Sequence, residues 1–279
     1  MKKQEIDDRE MWKSWKFFDL KKDKIPTDEE VKKHRKITIS TTCMGRTYDL
    51  KRTLIKNIMD NMDYPNVEFL VLNYNSKDDL DEWMKRYVSP WIEDGTVAYY
   101  KTTDPEFYEM GHSRNMCYKL ATGDIVNNVD ADNFTGVGFA SHINKLAEMQ
   151  PENGVFAKGK RSMHGRLGLY REECIALGGY DEDLTGYGYD DHWLLIRAMQ
   201  TGKKLMWWGS QSMNFAERIK TPRSVVGNNM REKSWKTTEN ANKAIATEKF
   251  FKKEWVVNKD KPWGSANVTK NFSTTPYKI

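Results

Sequence analysis

The sequence predicts an α/β layered domain on a largely parallel sheet flanked by helices, and three observations carry that prediction. From Ile37 onward, short apolar runs alternate with helical stripes in a strand, helix, strand, helix order, the order that yields parallel strands joined by crossover helices. At 279 residues with 38% apolar content, the chain is long enough to bury a sizeable core. Finally, the run Ile125-Val126-Asn127-Asn128-Val129 reads as a buried strand and ends in Asp130-Ala131-Asp132. Ligands collect beyond the carboxyl ends of strands in sheets of this kind.

The elements follow in order. Ile37 to Thr41 is the first strand, and Leu50, Leu54, Ile58 and Met62 form an i, i+4 stripe on the helix after it. Val67 to Leu72 is the second strand, with its helix over 78–88, and Val97 to Tyr100 is the third. Residues 111–121 read as a helix stopped by Gly123. Beyond the acid pair a helix is expected over 139–149, strands at Gly154–Ala157 and Leu167–Tyr170, a helix from Asp190 to Gln200 and a strand from Lys204 to Trp208. Residues 1–36 read as an N-terminal helical arm in which Trp12, Trp15 and Phe18 pack on the domain, and residues 216–279 as a basic helical or irregular extension with scattered Trp235, Phe250, Phe251 and Trp255. The domain is then 37–215, divided by the acid pair into a first part at 37–132 and a second at 133–215.

Composition narrows the function. Aromatics at 12% exclude a wholly disordered chain. No apolar run approaches the roughly 18 to 20 residues that cross a bilayer, and the charged start Met1-Lys2-Lys3-Gln4-Glu5 lacks the apolar stretch of a signal peptide. Cys43, Cys117 and Cys174 show neither close pairing nor metal-ligand spacing, so reduced, buried thiols and a cytoplasmic location are expected. The net charge of +5 is segregated: Lys and Arg against Asp and Glu number 12 to 9 over 1–36, 19 to 25 over 37–216 and 14 to 6 over 217–279. A basic tail beside an acidic core suits a polyanionic partner such as nucleic acid, or solubility alone.

The acid pair is the centre of the chemistry. Carboxylates at an interior strand end are costly without a partner. A divalent cation is the natural one, because Mg²⁺ or Mn²⁺ takes one or two protein carboxylates and completes its shell with water and substrate phosphates. Those phosphates point to a nucleotide diphosphate.

Four groups of residues, in order along 37–200, resemble the motifs of the nucleotide-sugar-dependent glycosyltransferases of GT-A fold, in particular the large inverting, family 2-like group with a galactosyltransferase-like acceptor region. Ser40-Thr41-Thr42-Cys43-Met44-Gly45-Arg46 resembles that group's first strand end, and Asn73-Tyr74-Asn75-Ser76 its second. Ser113-Arg114-Asn115, Ala121-Thr122-Gly123-Asp124 and Asp130-Ala131-Asp132 match its central motif closely. Gly179-Tyr180-Asp181-Glu182 and Tyr187-Gly188-Tyr189-Asp190-Asp191 echo its acceptor motif. The resemblance implies a Rossmann-like GT-A sheet, a nucleotide-sugar donor, most commonly a UDP-sugar, and Mn²⁺ or Mg²⁺ as cofactor. It assigns Asp132 to the metal and Asp130 to the ribose or metal. Thr41, Thr42 and Arg46 then line the nucleotide pocket, Asn73 lies near the base and Arg114 beside the diphosphate or sugar. Asp191 becomes the base that takes the acceptor's proton, at a helix start whose dipole favours a carboxylate, and Asp190 holds the acceptor.

Two departures from the resemblance stand out. No histidine follows His192, so the third metal ligand stays open between Asn214, Glu217 and water. Asn73 replaces an aspartate of the group. The acceptor is a glycan or, given the basic tail and its aromatics, a hydroxymethylated base in DNA held by stacking and phosphate attraction. A nucleotidyltransferase would instead favour a glycine-rich loop and lysine after the first strand, which Thr42 to Arg46 does not supply. A catalytically inactive nucleic-acid-binding protein on the same fold is the third reading.

Overall fold

The computed structural model describes residues 24–157, 166–207, 218–219 and 227–279. Among them, nine strands form one sheet in the order β7-β5-β6-β4-β1-β2-β3-β8-β9. Its centre is parallel: β1 (Ile37–Cys43) lies between β2 (Val67–Tyr74) and β4 (Ile125–Asn128), and β3 (Val97–Thr102) flanks β2. Ile37 is level with both Val67 and Ile125. The three parallel strands therefore start level and run the same way, and the loops after β1, β2 and β4 open on one edge. Beyond β4 the sheet turns mixed: β6 (Leu167–Tyr170) is antiparallel to β4 and to β5 (Gly154–Ala157), and β7 (Lys204–Trp207) is parallel to β5.

Side chains along β2, nearly all buried, alternate between the two faces of the sheet as the two-residue period requires. Phe69 and Val71 join one core with Leu50, Leu54 and Ile58 of α1 (Thr47–Met59), whereas Leu70 and Leu72 join the other with Met116 and Tyr118 of α4 (Met110–Leu120). Helices α2 (Leu80–Tyr87), α3 (Ser89–Glu93) and α5 (Phe139–Met149) contribute Leu80, Ile92 and Ile143 to the first core. α7 (Asp190–Gln200) contributes Trp193 and Leu194 to the second, and the short α6 (Arg171–Ala176) contributes Cys174. All three cysteines are free and buried, and no helix among the described residues is long and apolar enough to cross a membrane.

The predicted stripe on α1 runs one turn too far. Met62 is exposed because the helix ends at Met59, where Asn61 turns the chain by bonding the Asn57 carbonyl and the Thr135 hydroxyl. At the other end of the chain, residues 24–36 form no helix. They run beside α5, tied by Asn144 Oδ1 to the Arg35 amide and by Glu148 to the Arg35 guanidinium. Trp12, Trp15 and Phe18 lie outside the described residues. After residue 226 the chain forms the 17-residue α8 (Trp235–Phe251), whose N-cap Ser234 accepts from the Thr237 amide. It then returns to the sheet, where β8 (Asn267–Lys270) pairs antiparallel with β3 and β9 (Tyr277–Lys278) with β8. The extension expected to be helical or irregular thus supplies one edge of the sheet.

Candidate active site

Asp130 and Asp132 sit on the turn that leaves β4, and neighbouring elements hold that turn from below. The Val129 amide bonds Ser40 of β1, and the Thr41 hydroxyl donates to the Val129 carbonyl at 2.8 Å. From α1, Thr53 donates to the Ala131 carbonyl and Asn57 to that of Asn133. Asn133 folds back on both acids, its amide bonding the Asp130 carbonyl and its side chain donating to Asp132 Oδ1 at 3.0 Å. Arg46 lies between Asp49, which accepts from its Nε at 2.6 Å, and Asp132 Oδ2, 3.3 Å from its Nη2. Burial and the neighbouring Asp130 push the Asp132 carboxyl up to about 6, against the opposing pull of Arg46 and Arg218. The Ile219 amide bonds the Asp132 carbonyl, so the segment at 218–219 crosses directly over the pair.

Arg114 joins this turn to α7. Its side chain is 1% exposed, and it reaches three carboxylates: Asp190, Asp191 at 2.8 Å and Asp130 at 3.3 Å. Burial opposes its charge, but Asp191, Asp190 and Asp130 together hold its pKa well above the ordinary value. Tyr180 closes the cluster, its ring under the guanidinium at 5.4 Å and its hydroxyl donating to Asp191 Oδ1 at 3.2 Å. Burial, and then the adjacent Asp191, push the Asp190 carboxyl up to about 7, against Arg114. Asp190 can therefore hold a proton near neutrality.

The loop before α7 is set by side chains from elsewhere. Gly186, Gly188 and Tyr189 all have positive φ, a conformation glycine adopts freely and tyrosine only when its surroundings hold it. Asn242 of α8 supplies that hold. It accepts from the Thr185 amide at 3.1 Å and donates to the carbonyls of Thr185 at 3.0 Å and Gly188 at 2.8 Å. Thr238 donates to the Tyr187 carbonyl, and Glu109 accepts from the Gly186 amide. Trp235, at the start of α8, meets Tyr187 edge-on with ring centroids 6.5 Å apart.

Of the residues singled out from sequence, Asp130, Arg114, Asp190 and Asp191 meet in one cluster, and Asp132 and Arg46 adjoin it. Thr42 shares a 2.5 Å hydrogen bond with Tyr108, whose amide bonds the carbonyl of Asn229; the Asn229 side chain in turn donates to Met44. Asn73 is the exception. Both of its amide hydrogens are committed, to Asp81 and the Tyr99 hydroxyl, and its oxygen accepts from the Ser76 amide. It therefore shapes the loop after β2 and keeps no donor for a base. Asn214 and Glu217 lie outside the described residues. Sequence reasoning missed Asn242, Tyr108 and Arg166, which is 5% exposed at the entry to β6.

Among the described residues no group of three or more His, Cys, Asp and Glu could hold a metal. The available donor set is two carboxylates, which fits a hard cation that keeps water and phosphate oxygens in its shell.

Residues 38–162 match the model of glycosyl transferase family 2. No curated protein sequence matches the chain. Among solved structures, it resembles the mannosyltransferase PcManGT from Pyrobaculum calidifontis in complex with GDP-Man and Mn²⁺, at 19% identity and a TM-score of 0.53, over 71% of this chain and 59% of that one. It also resembles GalNAc-T7 with UDP, GalNAc and Mn²⁺, at 14% identity and a TM-score of 0.53, over 63% and 43%. S. aureus TarS 1-349 in complex with UDP aligns at 11% identity and a TM-score of 0.55, over 80% and 72%. The chain thus spans 59% and 43% of the length of the first two. At such identities the likeness establishes the fold.

Proposed function

Residues 38–162 are a glycosyltransferase family 2 domain of GT-A fold, and from that premise we propose that the protein transfers a sugar, with inversion, from a nucleotide sugar to an acceptor hydroxyl. The observation that carries the proposal is the bridge made by Arg114, which brings the acid of the β4 turn and both acids of α7 onto one guanidinium. A donor-side acid and a proton acceptor are what such a transfer needs on either side of the reacting carbon.

Thr41, Thr42 and Arg46 line the nucleotide end in this reading, and Asp132 and Asp130 hold Mn²⁺ or Mg²⁺. Bound there, the cation neutralises charge gathering on the departing diphosphate. Asp190, raised toward neutrality, holds the acceptor by hydrogen bonding. Asp191, beside Arg114 and Tyr180, takes the hydroxyl proton as the acceptor oxygen attacks. A UDP-sugar is the proposed donor. The acceptor is a glycan or a hydroxymethylated base in DNA; Arg231 stacked on Phe107 at 5.0 Å and Lys236 on Trp235 at 5.6 Å favour an anionic partner on this side. The acceptor region at 133–215 and the extension from 216 act together in this step, in a reducing compartment that suits three buried thiols.

A thermal-shift screen of UDP- and GDP-sugars with and without Mn²⁺, followed by turnover of the stabilising donor, tests the proposal. The expected result is a metal-dependent shift for one nucleotide class, and turnover abolished in Asp191→Asn while the shift persists. Full turnover in a folded Asp191→Asn protein overturns the assignment of the base.

A further inference from the structure

The site contains one buried cation that no carboxylate among the described residues contacts. Arg166 opens β6, which runs antiparallel to β4 with Gly168 opposite Asn127. Two steps along that register place it level with Val129, the residue before Asp130. It is 5% exposed, and its Nε is buried without a hydrogen-bond partner. The carboxylates of Asp130, Asp132 and Asp191 lie within its electrostatic reach, yet none forms a salt bridge with it. Its neighbours differ in this respect. Arg46 is paired with Asp49 and Asp132, Arg114 with Asp130, Asp190 and Asp191, and Arg218 is exposed to water.

A guanidinium withdrawn from water without a counter-ion is among the costlier arrangements a fold can keep. Burial outweighs the nearby carboxylates and lowers the pKa of Arg166, whereas at Arg114 the contacting carboxylates outweigh burial. Such a group is retained when an anion arrives to complete it, and its planar fork of donors matches phosphate oxygens. Its position level with Val129 sets it beside the turn that carries Asp130 and Asp132.

Building on the glycosyl-transfer reading above, we propose that Arg166 is a diphosphate-binding residue, which clasps the phosphates of the nucleotide from the β6 side while the acid pair and its cation hold them from the β4 turn. It is a cation that remains in place when the metal is removed.

The test compares wild type with Arg166→Met and Arg166→Lys in calorimetric titrations with UDP, GDP and inorganic pyrophosphate, with Mn²⁺ and with EDTA, alongside thermal midpoints of the ligand-free proteins. Removing one partner of a buried charge pair weakens binding by about tenfold or more. The Met variant should therefore lose at least that factor for the preferred nucleotide in both metal conditions, and Lys should restore part of it. Because the free protein no longer buries an unpaired charge, its midpoint should hold or rise in Arg166→Met. A lower midpoint with unchanged nucleotide affinity overturns the proposal, since Arg166 would then be a structural cation. If wild type takes neither UDP nor GDP, the donor reading fails, and pyrophosphate decides Arg166 separately. Loss of pyrophosphate binding in Arg166→Met upholds the anion site, and equal binding in both proteins refutes it.

Discussion

Replacing Arg114 by methionine keeps the volume of a fully buried side chain and removes the charge that three carboxylates share. Asp130 has a side chain 38% exposed, so water screens its part of the loss and it contributes little. Asp190 and Asp191, at 6% and 8%, have no such relief. Breaking a buried ion pair from one side costs about 3–5 kcal/mol, and that is the expected loss in Arg114→Met near pH 8, above the value to which Asp190 is raised. The sign of the pH dependence follows from Asp190, raised from 3.8 to about 7. Between those values the folded protein holds a proton that the unfolded chain has released, so stability falls as pH rises through the window. Without Arg114 the window extends upward. Toward pH 5 a proton on Asp190 leaves one buried acid and not two without its partner, so the loss should be smaller there. Urea unfolding of both proteins at about pH 5.5 and pH 8, fitted with a common slope, reads the difference directly. An equal loss at the two values would refute the reasoning, because it would mean that Arg114 acts by packing and not by charge.

Two further outcomes are expected. Asn242→Ala removes three hydrogen bonds from the loop at 185–188, worth about 1 kcal/mol each, and hydrogen exchange at the Thr185 amide should accelerate while donor-induced thermal shifts are unchanged; protection equal to wild type would show that the loop stands without α8. The Asp132 carboxyl, raised to about 6, offers protons as competitors for any cation bound there. Mn²⁺ titrations should therefore show affinity falling steeply below about pH 6, and a flat profile between pH 5 and 8 would remove Asp132 from the ligand set.

Much of the first part of the domain was legible because its signals are local. The run 125–129, the acid pair and the helical stripe Leu50, Leu54, Ile58 each declare themselves within a few residues, and Asp190–Gln200 forms the helix expected. The rest depended on partners remote in sequence. The buried face of α8 is Thr238, Asn242 and Ala246, a spacing of four built from small and polar residues, so no apolar stripe marks it. Strand β8 spans four residues with Val268 alone fully inside, too short for alternation to show. Asn73 stood at the right place for a base contact, but nothing nearby in sequence announces that Asp81 and Tyr99 claim its amide. Arg166 is a lone arginine ahead of an apolar run, and only the register of β6 against β4 brings it to the acids.

The grip of α8 on the loop ahead of Asp190 has an evolutionary corollary. Thr238 and Asn242 fall well outside the stretch, 38–162, that the family model matches, so the part with a family likeness and the part that shapes this loop are written in separate stretches of the gene. Drift or recombination confined to the later stretch could re-aim the loop while the earlier one was inherited intact. A chimaera grafting another lineage's equivalent of 227–279 onto this body would show how freely the two halves can be traded.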